Sequence, residues 1–489
     1  MQNINTKNGK TILEQIARRV MQEHGFLPDF SAAVLNELSN IRNIVAGTTD
    51  INKDLRHLPW ISIDNDDSRD LDQLTVAELL PGSNVKIFVA VADVDTMVKK
   101  NSAIDLHAHQ NTTSVYTAGK TFPMLPENLS TNLTSLNYNE DRPAVVIEMI
   151  VNDAGDIQSP GIYRALVHNH AKLAYNSIAS WLEGKSASPQ EVSPEIADNL
   201  RIQDKVAQKL RTQRHLRGAL ELQTLEARPV FAGDEIMDLQ IDETNRAKQI
   251  IEDFMIAAND ITAVFLKEKQ VPSLRRIVRS PKRWDRIVEI AAQHNYKLPS
   301  EPDSKALADF LIKQKAADSL RFPDLSLVII KLLGSGEYVV ELHNETAPGH
   351  FGLAVKDYTH STAPNRRFPD LITQRILKTT LGGLPQPYGE SELVELAKHC
   401  TLKEDDANKV ERQVAKSAAA MLLFPRIGNV FDAICTGAAE KGTWVRIFQP
   451  PIEGRLLHGY EGIDVGNRLK VKLVHVDVNQ GFIDFERVH

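Results

Sequence analysis

Apolar residues in the first 43 positions return at helical spacing: Ile12, Leu13, Ile16, Val20 and Met21 share one stripe, and Leu27-Pro28-Asp29 interrupts it before the pattern restarts at Ser31. Two short helices are predicted, a small helical N-terminal region. From Trp60 the pattern changes to strands. Ile61 and Ile63 alternate, Lys86 to Val94 is a dense β-branched run after Pro-Gly-Ser, and residues 145–175 continue through VVIEMIV with a turn signal at Asp153-Ala154-Gly155. Helices are predicted to dominate from about residue 190 to 330, including an amphipathic stretch from Arg246 to Lys267. A Gly/Pro/His-rich loop covers 346–370, and helices resume to about 423. The last 65 residues hold short strands such as WVRIF (444–448) and RLKVKLVHVDV (468–478) between Gly-rich turns. Five such strands suit an OB-type β-barrel, and other small barrels fit the pattern equally. The fold class is α+β.

A chain of 489 residues has room for roughly three domains. Its 42% apolar and 25% charged residues are ordinary for a globular protein. Cys400 and Cys435 have no CxxC spacing and no His partner nearby, which argues against a structural zinc site or a disulfide framework and for a reducing compartment. Met1 to Lys10 is polar, and no run reaches the roughly 18 apolar residues of a spanning helix, so a cytoplasmic protein without a membrane partner is expected. A formal charge of −7 argues against wholesale coating of nucleic acid. Two basic clusters leave room for a local channel: Arg201 to Arg217, and Arg275 to Arg286; solvated helix faces are the equal alternative for each.

The most unusual segment lies just after a strand. Residues 61–73 read ISIDNDDSRDLDQ, placing Asp64, Asp66, Asp67, Asp70 and Asp72 within nine positions. Carboxylates this dense repel one another unless a cation joins them. Hard divalent ions take oxygen ligands and are held by a few carboxylates together with substrate phosphate, so the fitting chemistry is phosphodiester hydrolysis. A calcium loop starting at Asp64 would ask for Gly at 69 and Glu at 75, where Arg69 and Thr75 stand. A solvated acidic turn is the remaining alternative.

This segment resembles the catalytic motif of the ribonuclease II/R (RNB-domain) exoribonuclease family. The resemblance extends through FVAVADV (88–94), TSVYTAGKTFPMLPENLS (113–130), DRPAVVIEM (141–149), LRTQRHLRGALEL (210–222), IIEDFMIAAND (250–260) and GHFGLAVKDYTHSTAPNRRFPDLITQR (349–375), roughly residues 60 to 420 in all. It implies that Asp64, Asp70 and Asp72 are three of four catalytic aspartates holding Mg²⁺ (or Mn²⁺), with Gln73 at the fourth position, where it brings a carbonyl but no charge. Arg366, in APNRRFPD, matches an arginine on the scissile phosphate, a task suited to a planar permanent cation. Arg367 is a possible substitute, and a simple pairing of Arg366 with Asp370 is the structural alternative. Ser361, Ala363 and Asn365 depart from the family's usual Phe, Ser and Ile. Tyr116 matches an aromatic that stacks on the terminal base, with core packing as its alternative. Glu411, in KVERQVAK, matches a late glutamate near the metal, with a surface role equally open.

The resemblance implies three regions: a helical N-terminal region (1–57), an RNB catalytic domain (58–424) and an OB-fold RNA-binding domain (427–489), in which Trp444, Phe448 and Phe482 are candidate stacking residues. Only about 57 residues precede Leu58, too few for the two cold-shock domains that family members usually carry there. The expected function is 3′→5′ hydrolysis of single-stranded RNA to 5′-nucleoside monophosphates by a monomer without an organic cofactor. The alternative is a catalytically impaired homologue that binds RNA.

Overall fold

The computed structural model describes residues 8–41, 51, 53–224, 227–241, 244–319, 321–343, 345–439 and 442–488. Two helices open the chain, α1 (Gly9–Glu23) and α2 (Ala32–Asn40), the second capped by the Ser31 hydroxyl, which accepts from the Val34 amide. Strands β1 (Lys53–Asp54), β2 (Trp60–Asp64), β3 (Gln73–Leu79) and β4 (Val85–Ala92) follow, then α3 (Ala103–Asn111) and a small hairpin, β5 (Val115–Tyr116) with β6 (Thr121–Phe122). The long strands β7 (Asp141–Val151) and β8 (Ile157–Ala174) lead into α4 (Tyr175–Leu182) and α5 (Pro194–Leu216).

The six-stranded sheet has the order β1-β8-β2-β3-β4-β7. The length of β8 lets it close the sheet on itself: residues 157–168 pair antiparallel with β7, and residues 169–174 run parallel to β2. β4 is apolar nearly throughout and buried almost end to end, as expected of a strand covered on both faces. The parallel pairing sets Asp64 opposite Ala174, so β2 delivers its terminal carboxylate at the end of β8.

The region expected to be dominated by helices also contains strands. A hairpin, β9 (Ala227–Ala232) with β10 (Glu235–Ile241), precedes α6 (Arg246–Glu268), and β11 (Ser273–Ile277) pairs with β12 (Glu337–Glu341) across the helices α7 (Trp284–Gln293), α8 (Ser304–Ala317) and α9 (Phe322–Leu333). The hairpin signal was present in Ala-Gly-Asp, where Gly233 takes φ +62°. Then come α10 (Phe368–Leu381) and the 34-residue α11 (Glu390–Leu423).

The C-terminal strands β13 (Val430–Ala439), β14 (Gly442–Ile447), β15 (Glu453–His458), β16 (Arg468–Asp477) and β17 (Phe482–Arg487) form a closed barrel in the order β13-β14-β15-β17-β16. Its core is continuous with α11 and α1 through Leu13, Val20, Met421, Val445 and Phe485. The N-terminal helix is therefore part of the larger body. The sheet likewise begins before Leu58, since Lys53 and Asp54 already pair with Ala165 and Leu166. The turn between β5 and β6 rests directly on α1: a Cβ at Gly119 would lie 2.9 Å from the Glu14 amide nitrogen. Among the described residues, no helix is long and apolar enough to cross a membrane.

Candidate active site

The acidic loop is built outward from buried β2. The Asp64 carboxylate accepts from the Asn65 amide (3.1 Å) and the Ser68 hydroxyl (2.9 Å), while Lys172, on the outer face of β8, donates to the Ser68 carbonyl (2.5 Å). Farther along, the Leu71 amide donates to the Ser135 hydroxyl (2.9 Å), and the Leu71 carbonyl accepts from Leu136 (2.9 Å). These bonds fix the backbone on both sides of Asp70. Asp66 and Asp67 are exposed and point elsewhere, lining a polar cleft of ≈ 1680 Å³ with Asn245, Arg228, Arg426 and Phe448.

Asp72 is 1% exposed. One of its oxygens accepts from the Asn365 amide (3.0 Å), and Oδ2 faces the Arg366 Nε at 3.1 Å. The Arg366 side chain keeps 37% of its surface open to solvent, so the cation retains a face for a ligand. The loop bearing it is held by its carbonyl, which accepts from the Ser114 amide (2.9 Å) and the Thr113 hydroxyl (3.2 Å). Tyr116, two residues from that anchor, is 44% exposed, and its hydroxyl lies 3.5 Å from Asp70 Oδ2. The site thus gathers Asp64, Asp70, Asp72, Arg366 and Tyr116. Core packing does not describe Tyr116.

Burial raises the Asp70 carboxyl above the usual carboxylate range, with Arg366 opposing and Asp64 adding to the rise. Burial also pushes Asp72 up to about 7, against the pull of Arg366 and with the help of Asp70. Both carboxyls are desolvated by more than the Arg366 charge offsets. The Asp72 Oδ2 atom is buried and accepts no hydrogen bond. Every side-chain oxygen that Asp64, Asp70 and Asp72 bring here is a hard donor, and the set fits a hydrated Mg²⁺. Among the described residues no three carboxylate, imidazole or thiolate side chains are grouped closely enough to ligate one ion by themselves.

Three expected site residues stand differently. Arg367 is no substitute for Arg366: its Nε and a terminal nitrogen donate to Asp370 at 2.8 and 2.7 Å, and the Asp370 carboxylate also accepts from the Ala363 amide (2.8 Å). The pair locks the first turn of α10, so the alternative drawn for Arg366 belongs to its neighbour. Glu411 Oε1 accepts from the Tyr116 amide at 2.7 Å, a bond that holds the backbone presenting the ring. It is a positioning residue. Trp444 lies over the glycines of its own barrel, with ring atoms 3.5 Å from where a Gly437 side chain would begin and 3.3 Å from that of Gly442. It fills missing side-chain volume, whereas Phe448, 40% exposed, lines the cleft.

The two basic clusters are largely neutralised. On α5, Lys209 pairs with Asp153, Arg211 with Glu252, and Arg214 with Asp253. In the second, Arg275 pairs with Glu341, Arg276 with Glu404, and Arg279 with Glu337. Sequence reasoning passed over Lys172 and Tyr175, which flank Asp64 from the end of β8; burial and the Asp64 charge raise the Tyr175 hydroxyl. Their signal was the parallel pairing of β8 with β2, which no local pattern announces.

Residues 52–383 match the RNB domain, and residues 429–488 match the RNase II-type exonuclease C-terminal S1 domain. The chain is 30% identical over 478 residues to ribonuclease R of Escherichia coli (strain K12), covering 89% of this chain and 57% of that protein. It therefore spans a little over half the length of this curated relative. Its fold is similar to Mycoplasma genitalium RNase R in complex with ribose-methylated single-stranded RNA, with a TM-score of 0.88 at 23% identity over 97% of this chain and 78% of that one. It is also similar to yeast Ssd1, a pseudonuclease, with a TM-score of 0.69 at 16% identity over 91% of this chain and 55% of that one. With the RNB model matching well over half of its residues, the chain belongs to the RNB-domain family.

Proposed function

We propose that this chain is a 3′→5′ exoribonuclease that hydrolyses single-stranded RNA to 5′-nucleoside monophosphates with Mg²⁺. The observation that carries the reading is the convergence of Asp64, Asp70 and Asp72 on a half-open Arg366 beside an exposed Tyr116. Asp64, Asp70 and Asp72, with Gln73, would hold Mg²⁺, which when bound supplies charge stabilisation to the phosphoryl oxygens. Arg366 clamps the scissile phosphate and stabilises the charge that grows on it as water attacks in line. The Tyr116 ring stacks on the last base, a contact every base can make, and Glu411 fixes the backbone that presents it.

The test is incubation of the purified chain with labelled single-stranded RNA and Mg²⁺. Monophosphate release by the parent and its loss in Asp72→Asn support the reading; equal behaviour of the two, with no monophosphate, overturns it. A second reading, an RNA-binding homologue impaired in catalysis, is favoured by the neutral Gln73 in the acidic set. It expects RNA affinity without turnover, and turnover gained in Gln73→Asp.

A further inference from the structure

One face of α6 lines a second cavity, of ≈ 380 Å³, that shares no residue with the site above. The lining residues recur each turn: Asp253, Ile256 and Ala257, Asp260 and Ile261, Val264 and Phe265, then Glu268. The opposite walls are Ile157, Pro160 and Ile162 of β8, Leu210, Gln213 and Arg214 of α5, and Arg217 just after it. Its size falls in the range of small-molecule sites, and its floor is aliphatic and aromatic.

The charges are unbalanced. Four carboxylates line the cavity, Asp156, Asp253, Asp260 and Glu268, against two guanidiniums, Arg214 and Arg217, which leaves a net −2. Arg214 is engaged by Asp253, and Arg217 lies 3.6 Å from Asp156. Asp260 and Glu268 are not named in those pairs, although the Arg217 and Arg275 charges reach Asp260. They sit eight residues apart on the helix, a rise of roughly 12 Å, with Ile261, Val264 and Phe265 between them.

We propose that this groove binds a linear aliphatic polyamine, one ammonium on Asp260, another on Glu268, and the methylene chain against Ile261, Val264 and Phe265. Two separated negative charges joined by an apolar floor complement such a ligand and no anion. Burial, with Asp357 beside it, pushes Asp260 up to about 6, and Arg217 and Arg275 act in the opposite sense. An arriving ammonium therefore displaces a proton from Asp260 at pH 6, and much less at pH 8, where the group is already ionised.

The experiment is calorimetric titration of the intact chain with spermidine in the absence of RNA. A saturable single site is expected, weakened about tenfold in Asp260→Asn and severalfold in Glu268→Gln, and weakened at least tenfold for butylamine, which carries one ammonium. Glu268 is exposed, so E268Q decides the matter if D260N fails to fold. Non-saturating heats, or affinity unchanged in both variants, mean that the amine binds the acidic surface at large and overturn the proposal.

Discussion

Arg366 Nε lies 3.1 Å from Asp72 Oδ2, while its neighbour Arg367 turns away and places two donors on Asp370. Adjacent arginines in one motif thus do separate jobs, one at the substrate and one in the fold. Arg366→Ala is expected to lower kcat by on the order of 10²–10³-fold, the usual effect of removing a donor aimed at developing charge, with a smaller loss of stability than at Arg367 because Asp72, already pushed up to about 7, can take a proton. Arg367→Ala leaves the fully buried Asp370 without its cation and is expected to destabilise the chain by roughly 3–5 kcal/mol. Steady-state kinetics and thermal unfolding of both variants check this; the assignment fails if the two effects are exchanged.

Glu411 accepts from the Tyr116 amide, and for that bond an acceptor oxygen suffices. Glu411→Gln keeps a carbonyl acceptor and is expected to hold activity within about twofold of the parent. Glu411→Ala frees the β5 backbone and is expected to raise KM severalfold for short RNAs and to lengthen the final product, at the cost of one charged hydrogen bond, about 1.5–3 kcal/mol. A glutamine variant as impaired as the alanine variant would place Glu411 in the chemistry itself.

What could be read in advance divides by range. The strand feeding the acidic loop, the amphipathic α6 and the barrel rest on local periodicity, and all three appear where the spacing puts them. Asp64, Asp70, Asp72, Arg366 and Tyr116 came from motif order, and the fold brings them together. Illegible were the partners. Which of Arg366 and Arg367 faces Asp370 depends on the first turn of α10, and the neutralisation of Arg211 and Arg214 depends on α6 packing against α5. A cation counted along the chain says nothing of the carboxylate that another helix delivers to it. The β9–β10 hairpin was overlooked because its apolar positions are interrupted by charges, so that only the turn marks it.

Gln73 is 6% exposed at the start of β3, next to a carboxylate that burial already holds near neutrality. Gln73→Asp adds a further buried negative charge that only a cation can balance. The variant is expected to unfold at a lower temperature than the parent in chelator, and to gain more stability than the parent on adding Mg²⁺, because the extra charge tightens the ion in the folded state alone. The midpoint of activation by Mg²⁺ should fall severalfold. Equal Mg²⁺ responses in the two proteins would remove position 73 from the metal's surroundings.

Asp260 has a pH signature of its own, separable from catalysis. Its carboxyl, buried in the α6 groove, holds a proton up to about pH 6, whereas the unfolded chain releases it near 3.8. With the folded value raised, the group favours the folded state below the unfolded value, and that advantage is lost as pH rises from about 4 through 6, leaving a buried anion above. Asp260→Asn removes the titration. Parent and variant are expected to be similar in stability at pH 4, with the variant ahead by roughly 1–2 kcal/mol at pH 8, the cost of ionising a partly buried carboxyl. Thermal unfolding across this range, without polyamine, checks the sign. A variant that is less stable at pH 8 than the parent would mean that Asp260 makes a favourable pair in its ionised form, and that its neighbours Arg217 and Arg275 outweigh burial.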